Sequence, residues 1–481
     1  MFWRGVIGYL PANLVQGLVG LLSIVAFTRL LTPQAYGAYA LAFSVSSLVH
    51  TVTFTWLEAA MARFYAREAE HGRLGGHFAT LYWAFAALAL GFPVLAGAVL
   101  WVLPLDPSMK LAVGAGLVAI PVRSLAKLGQ EHRRAAGRVR ASAMLDIGQT
   151  GGAFLIGAGL AALGAGGAAP LIGAGLAAAA CLVFVLPEEL KSTRSGRFER
   201  ARAQDYLHYG LPVALSLILS LALATTDRFM LAAFLNPASV GVYHAGYSLS
   251  NRTLDVIFIW LGAAGGPAAI LALERGGLEA LQRAAREQAS LMILICLPAA
   301  AGLALVAQPL AWLMVGEGLR AGAARVTPWI AVSGLFAGIT TYYLHTAFTL
   351  ARRTRLLLVA MAVPAGANLI LTLVLIPRFG LDGAMWATAA SYGVGALASW
   401  ALGRMVMPLP LPWGAIGRCG LATAGMAMAV SRIPATGGFT ELVAKAAAGI
   451  TVYGALAFAL DAAGVRSKCA DLVRSLQSAT A

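Results

Sequence analysis

Apolar residues fall into long uninterrupted runs, separated by short segments that collect nearly all the charge. The runs lie at about 5–28, 37–61, 78–104, 109–128, 141–163, 168–187, 210–234, 238–264, 288–314, 326–350, 355–376, 383–403, 413–431 and 443–464. Each is about 20 residues or longer, enough for a helix to cross a hydrocarbon core of roughly 30 Å. The pattern has neither the period of two of a half-buried strand nor the period of 3.6 of a surface helix, so it predicts some fourteen helices apolar all round. The runs 141–163 and 168–187 are parted only by a Gly/Ala turn, Gly164–Ala165–Gly166–Gly167.

Composition agrees. The 481 residues are 59% hydrophobic and 11% charged, against roughly 25% charged in soluble domains. Lipid around the apolar faces removes the need for a polar surface, and the 54 glycines suit helices that pack closely without a hydrophobic force between them. The net charge of +15 is explained by basic residues in loops, and nucleic acid is not expected as a partner. With the N-terminus placed in the cytoplasm, 26 of the 35 Lys and Arg fall on the cytoplasmic side and 8 on the outer side, with Arg252 inside a helix. The positive-inside rule then puts both termini and the basic loop 188–209 inside, and 164–168 and 432–442 outside. The first run reads as a retained helix rather than a cleaved signal. Cys181, Cys296, Cys419 and Cys469 stand singly, so neither a metal site nor a disulfide framework is expected.

One pattern occurs twice. Leu31–Thr32–Pro33 leads to Gly37, Tyr39, Phe43 and Ser44; Leu235–Asn236–Pro237 leads to Gly241, Tyr243, Tyr247 and Ser248. A weaker echo links Gly164, Gly167 and Ala168 to Gly380, Gly383 and Ala384. An even number of spans separates the copies, so the two six-helix halves share one orientation, as in parallel repeats related by an axis along the membrane normal. The expected organisation is an N-terminal lobe at 1–190, a basic linker at 191–209, a C-terminal lobe at 210–405, and two further helices with a tail at 406–481.

The stretch from Thr28–Arg29–Leu30–Leu31–Thr32–Pro33 to Gly37–Ala38–Tyr39–Ala40–Leu41 resembles the opening of the polysaccharide transporter, or Wzx-type flippase, family. Tyr209–Gly210–Leu211–Pro212, Asp227–Arg228, Ala351–Arg352–Arg353–Thr354–Arg355 with Asn368, and Ile376–Pro377–Arg378–Phe379–Gly380–Leu381–Asp382–Gly383–Ala384 are similar to later parts of the same family. The resemblance spans roughly residues 5–403. It implies the multidrug/oligosaccharidyl-lipid/polysaccharide exporter superfamily, with two six-helix lobes around a central cavity plus two extra helices. It also implies flipping of an undecaprenyl-pyrophosphate-linked oligosaccharide across the inner membrane, with membrane lipids, a polysaccharide polymerase and assembly proteins as partners.

Such a substrate needs fixed cations for its pyrophosphate and polar contacts for its sugars, and Arg offers phosphate a two-pronged donor. Arg252, inside the eighth run, is the foremost candidate, because a charge there is costly unless it faces water or a partner. Asp255 lies three residues on, so a structural pair and a cavity cation are both open. Tyr247 and Asn251 share that helix with Tyr243, His244 and Ser248. Asp227 and Arg228 end the seventh run, Arg228 by snorkelling or by facing substrate. Arg123 and Lys127 close the fourth, Glu58 and Arg63 the second. Asn13 and Gln16 share a face of the first, Asp146 opens the fifth, and His345 is expected to be a satisfied contact in the tenth. The basic run Arg133, Arg134, Arg138 and Arg140 fits either anionic headgroups or plain orientation. No nucleotide-binding loop, cofactor, metal or catalytic residue is expected, and the chain reads as a transporter rather than an enzyme. Proton or sodium coupling through Asp255, Glu58 or Asp146 stays open. The competing readings are a cation-coupled multidrug exporter, a lipid II flippase, and a membrane glycosyltransferase or polymerase.

Overall fold

A computed structural model describes residues 2–102 and 105–467; Cys469 and the rest of the tail lie outside them. The described residues are almost wholly helical and contain no strand: α1 Phe2–Leu30, α2 Pro33–Thr53, α3 Thr55–Glu70, α4 Leu74–Val102, α5 Pro107–Ala135, α6 Val139–Ala162, α7 Ala169–Arg194, α8 Arg200–Phe234, α9 Pro237–Leu305, α10 Ala307–Met314, α11 Glu317–Ile339, α12 Thr346–Leu350, α13 Thr354–Arg404, α14 Trp413–Ser431 and α15 Gly438–Ala459. Eight of these are long and apolar enough to cross a membrane, and α2 with α3, bent by 50°, adds a ninth. Two of the eight contain more than one expected run. Gly277 breaks α9 at φ 64°, and Gly380 breaks α13 at φ 57°, so each of the fourteen apolar runs has a helical counterpart. Large apolar side chains such as Leu90 (83% exposed) and Trp101 (86%) point outward. Such a surface suits lipid rather than water, and the protein is a multi-pass membrane protein.

Local chemistry explains where helices begin. Thr32 caps α2, its hydroxyl accepting from the Ala35 N–H at 3.2 Å, with Pro33 in the first turn. Asn236 does the same for Ser239 N–H at 2.9 Å ahead of Pro237, and Asp106 for Met109 N–H at 2.9 Å ahead of Pro107. A side-chain acceptor followed by Pro satisfies an orphan N–H and presets φ. The repeated Leu–x–Pro segments are therefore helix starts, as expected.

The chain divides into two compact units, Met1–His244 and Ala245–Ala481. The division falls later than the 191–209 linker because α8 is bound to the first unit. Tyr206 stacks on Phe64 at 4.8 Å, and a Cβ at Gly210 would come within 2.6 Å of the Trp56 Cβ. The segment expected as a loop between 264 and 288 is helical apart from Gly277; its Glu, Arg, Ala and Leu are good helix formers.

In the first unit the two repeated segments meet each other. A Cβ at Gly37 would overlap the Pro237 carbonyl, and one at Gly241 would lie 2.5 Å from the Pro33 carbonyl. The contact is reciprocal, so the two helix starts face each other across a local pseudo-twofold axis. Only glycine permits that backbone approach. In the second unit, Leu254, Phe258, Leu281, Met292, Cys296 and Tyr343 form the core. A π-turn at Thr340–Leu344 follows α11, and α15 is tied to α9 by the Tyr453 hydroxyl donating to the Leu294 carbonyl at 2.7 Å.

Candidate functional site

The sequence-predicted residues separate into paired and unpaired groups. In the first unit, the Gln16 amide donates to the Asp146 carboxylate, joining α1 to α6, while Asn13 on the same helix is exposed. Glu58 takes His50 at 2.9 Å, from Nε2 to Oε1. Arg123 lies close enough to Glu58 and Tyr39 to feel both. Arg63, one turn beyond Glu58, is exposed and makes no ion pair or hydrogen bond with another described residue.

Asp227 and Arg228 are fully buried, at 0% and 5% exposure. The Tyr243 hydroxyl donates to Asp227 at 2.8 Å; Arg228 donates to the Ala224 carbonyl at 3.2 Å and reaches the Ser44 hydroxyl at 3.4 Å. His244 packs on Tyr36 and Tyr39, with ring centres 5.5 and 6.0 Å apart. Snorkelling by Arg228 is thus replaced by burial, because α2 and α9 cover the end of α8. The cluster sits beside the Gly37–Gly241 contact and locks it with polar bonds.

In the second unit, the Asn251 amide donates to Asp255 at 2.5 Å. Arg252 is exposed and forms neither an ion pair with Asp255 nor a hydrogen bond among the described residues, although its charge acts on Asp255. Of the two alternatives open for Arg252, the structural ion pair with Asp255 does not form. Asn251 is four residues from Asp255 and stacks one turn away, whereas Arg252 turns outward. Tyr247 is half-buried on the same helix, and His345 meets the Ser399 hydroxyl at 3.3 Å.

One group escaped sequence reasoning. At one end of the first unit, Glu189 (1% exposed) binds His132 Nδ1 at 2.9 Å and Arg133 at 2.8 Å, and accepts from the Tyr82 hydroxyl at 2.7 Å. Glu188 takes Arg133 at 2.5 Å and Arg138 at 2.6 Å. Nearby, Glu68 gathers Arg73 and Arg202, and His77 bonds to Tyr206. Arg133 is therefore buried structure rather than a headgroup contact; Arg134, 60% exposed beside Glu131, keeps the surface position. Glu188 and Glu189 at the end of an apolar run were the available signal, since acids at a basic rim invite pairing. His50 gave no such signal: its partner lies eight residues on, a spacing that matches no helical turn and works only across the bend at Phe54.

No cluster of His, Cys, Asp or Glu among the described residues could hold a metal. The arrangement offers charged groups inside apolar helices, some locked together and some free to meet a solute.

No curated protein matches the sequence. Among solved structures, the fold matches the lipid II flippase MurJ in an inward closed conformation, with TM-score 0.77, 13% identity, and coverage of 95% of this chain and 99% of that one. It also matches an inward-facing multidrug resistance MATE family transporter of the MOP superfamily, with TM-score 0.68, 16% identity, and coverage of 81% and 94%. A MOP superfamily transporter from Pyrococcus furiosus, with TM-score 0.57 and 14% identity over 83% and 93%, shares the fold as well. At these identities the likeness establishes the fold alone. A family profile described as polysaccharide biosynthesis protein matches residues 26–319, more than half of the sequence, and the chain belongs to that family.

Proposed function

We propose that the protein is a flippase that carries an undecaprenyl-pyrophosphate-linked oligosaccharide from the cytoplasmic to the outer leaflet of the inner membrane by alternating access, with both termini cytoplasmic. The observation that carries this reading is Arg252: an exposed guanidinium without a hydrogen bond or ion pair among the described residues, in a membrane-spanning helix of a polysaccharide biosynthesis protein. An arginine in that setting costs about 3 kcal/mol on insertion scales. Nothing within the described residues offsets that cost by pairing, so it suits a group held for an anionic solute. Arg63 and Arg123 supply the same chemistry in the first unit, and Asn13, Tyr247 and Asn251 supply hydrogen-bonding partners for sugars. The protein itself breaks no covalent bond in this scheme; a polymerase and assembly proteins act on the product.

Membranes depleted of the protein should accumulate lipid-linked oligosaccharide with its glycan on the cytoplasmic leaflet, read by an impermeant glycan-oxidising label on sealed vesicles of each orientation. An unchanged leaflet distribution overturns the reading. Accumulation of lipid II instead favours the second reading, suggested by the overlay on MurJ along 95% of the chain.

A further inference from the structure

The second membrane span is broken at Phe54, and the break is bridged. Phe54 sits at φ −117°, ψ −21° between α2 and α3, which meet at 50°. His50 lies in the last turn of α2 and Glu58 in the first turn of α3. Their side chains close across the bend at 2.9 Å. The bend contains no proline or glycine, the usual causes of a sharp kink. Phe54 is buried against Phe85 and Phe92 of α4, at 5.3 and 5.7 Å, so aromatic rings pack at the break while the contact across it is polar.

The groups facing this pair are few. From α5, Arg123 acts on Glu58, with Tyr39 of α2 beside it. From α3, Arg63 is exposed one turn beyond. From α8, Asp227 and Arg228 engage Tyr243, Ser44 and their own helix. His50 is 29% exposed at its side chain and Glu58 14%, so the pair is not sealed inside the protein.

We propose that His50 and Glu58 form a proton-binding strap across the bend of the second span, so that proton occupancy sets the angle between α2 and α3. In the tautomer whose Nε2–H donates to the Glu58 carboxylate, the proton adds to Nδ1 of the His50 ring. A hydrogen bond from a neutral ring to a carboxylate thereby becomes an imidazolium–carboxylate pair, which adds the attraction of opposite charges to the bond. The strap shortens and stiffens when protonated and slackens when the proton leaves. Because α3 carries Arg63, and Arg123 shares Glu58, the bend would set how both cations are presented. That consequence rests on the transport reading above; the proton site does not.

The test measures the bend in the full-length protein in lipid vesicles. Spin labels are placed at exposed positions on either side of the break, Phe43→Cys and Ala66→Cys, with Cys181, Cys296, Cys419 and Cys469 replaced by Ala. Lowering the pH from 8 to 5.5 should shorten and narrow the label-to-label distance distribution in one transition. His50→Gln keeps an amide donor that does not titrate, and Glu58→Gln removes the carboxylate; each should abolish the transition. A distribution independent of pH in the parent, or an unaltered transition in either variant, overturns the proposal. If His50→Gln does not accumulate, Glu58→Gln decides alone. Export of glycan plays no part in the readout, so it separates failure of the strap from failure of the flippase reading.

Discussion

Two sets of charges in this molecule obey opposite rules. The cluster around Glu189 has a buried centre (Glu189, His132, Arg133, Glu68 and Arg202) with Glu188, Arg138 and Arg73 at its rim, and every acid in it holds one or more cations: His132 and Arg133 on Glu189, Arg133 and Arg138 on Glu188, Arg73 and Arg202 on Glu68. Arg63 and Arg252 are exposed on membrane helices and have no partner among the described residues. The first set ties together the ends of five helices, α3, α4, α5, α7 and α8, whose shared apolar surface alone would leave their rotation loosely fixed. The second set makes no ion pair or hydrogen bond with the described residues; under the proposed function it is held for a solute. On that reading, burial together with pairing, rather than the presence of charge in a membrane helix, would separate scaffold from site.

The comparison breaks most visibly at Glu189. Glu189→Ala leaves His132 and Arg133 without their shared acceptor, and removing one partner of a buried ionic set costs about 3–5 kcal/mol. Thermal unfolding in detergent should show the largest loss of any single change, with little protein reaching the membrane. A variant that melts like the parent would remove the cluster from the scaffold. Gly37→Ala comes next. Its new methyl meets the Pro237 carbonyl, which is backbone and cannot swing aside, and overpacking of this kind costs about 1–3 kcal/mol. Gly241→Ala should behave alike, and unequal effects would argue against a reciprocal contact.

Asp106 gives a smaller, pH-dependent effect. The Met109 N–H, with help from the Ser108 hydroxyl, holds its carboxyl below the ordinary carboxylate value in the turn before α5. A carboxyl whose value is depressed on folding adds stability above the unfolded value and loses it as the pH falls through the folded one. Asp106→Ala should therefore cost about 1 kcal/mol at neutral pH, and the cost should shrink as the pH falls below the ordinary carboxylate value and through the lowered folded one. A cost that persists in acid would mean that the cap is not electrostatic. Arg325→Ala, which removes an exposed pair with Asp382 at 2.7 Å, should change stability by at most about 1 kcal/mol. That sets the floor against which Arg63→Ala and Arg252→Ala are judged: both should fall within about 0.5 kcal/mol of the parent.

The helical architecture was legible because lipid imposes a blunt rule: apolar runs of span length, with basic residues between them. The Thr32–Pro33 and Asn236–Pro237 starts were legible because caps are local chemistry. Their direct contact was not, since a glycine on a helix face does not announce what lies 2.5 Å from it. Arg252 was readable as a charge out of place. That Asp255 chooses Asn251 over Arg252 was not, because a residue three positions away and one four positions away are both within reach and rotamers decide. His50 with Glu58 required knowing that the helix bends at Phe54, where no proline or glycine marks a break. Arg133 looked like any rim arginine until α7 brought Glu188 and Glu189 against it.

The most direct measurement is the leaflet distribution of lipid-linked oligosaccharide in cells that carry Arg252→Ala as the sole copy, alongside the amount and melting temperature of the protein. The account predicts parent-like amount and melting temperature, with the glycan trapped on the cytoplasmic leaflet as if the protein were missing. Arg252→Lys should recover only part of the outer-leaflet pool, since a point charge lacks the two-pronged geometry. Normal outer-leaflet glycan with Arg252→Ala would contradict the central claim.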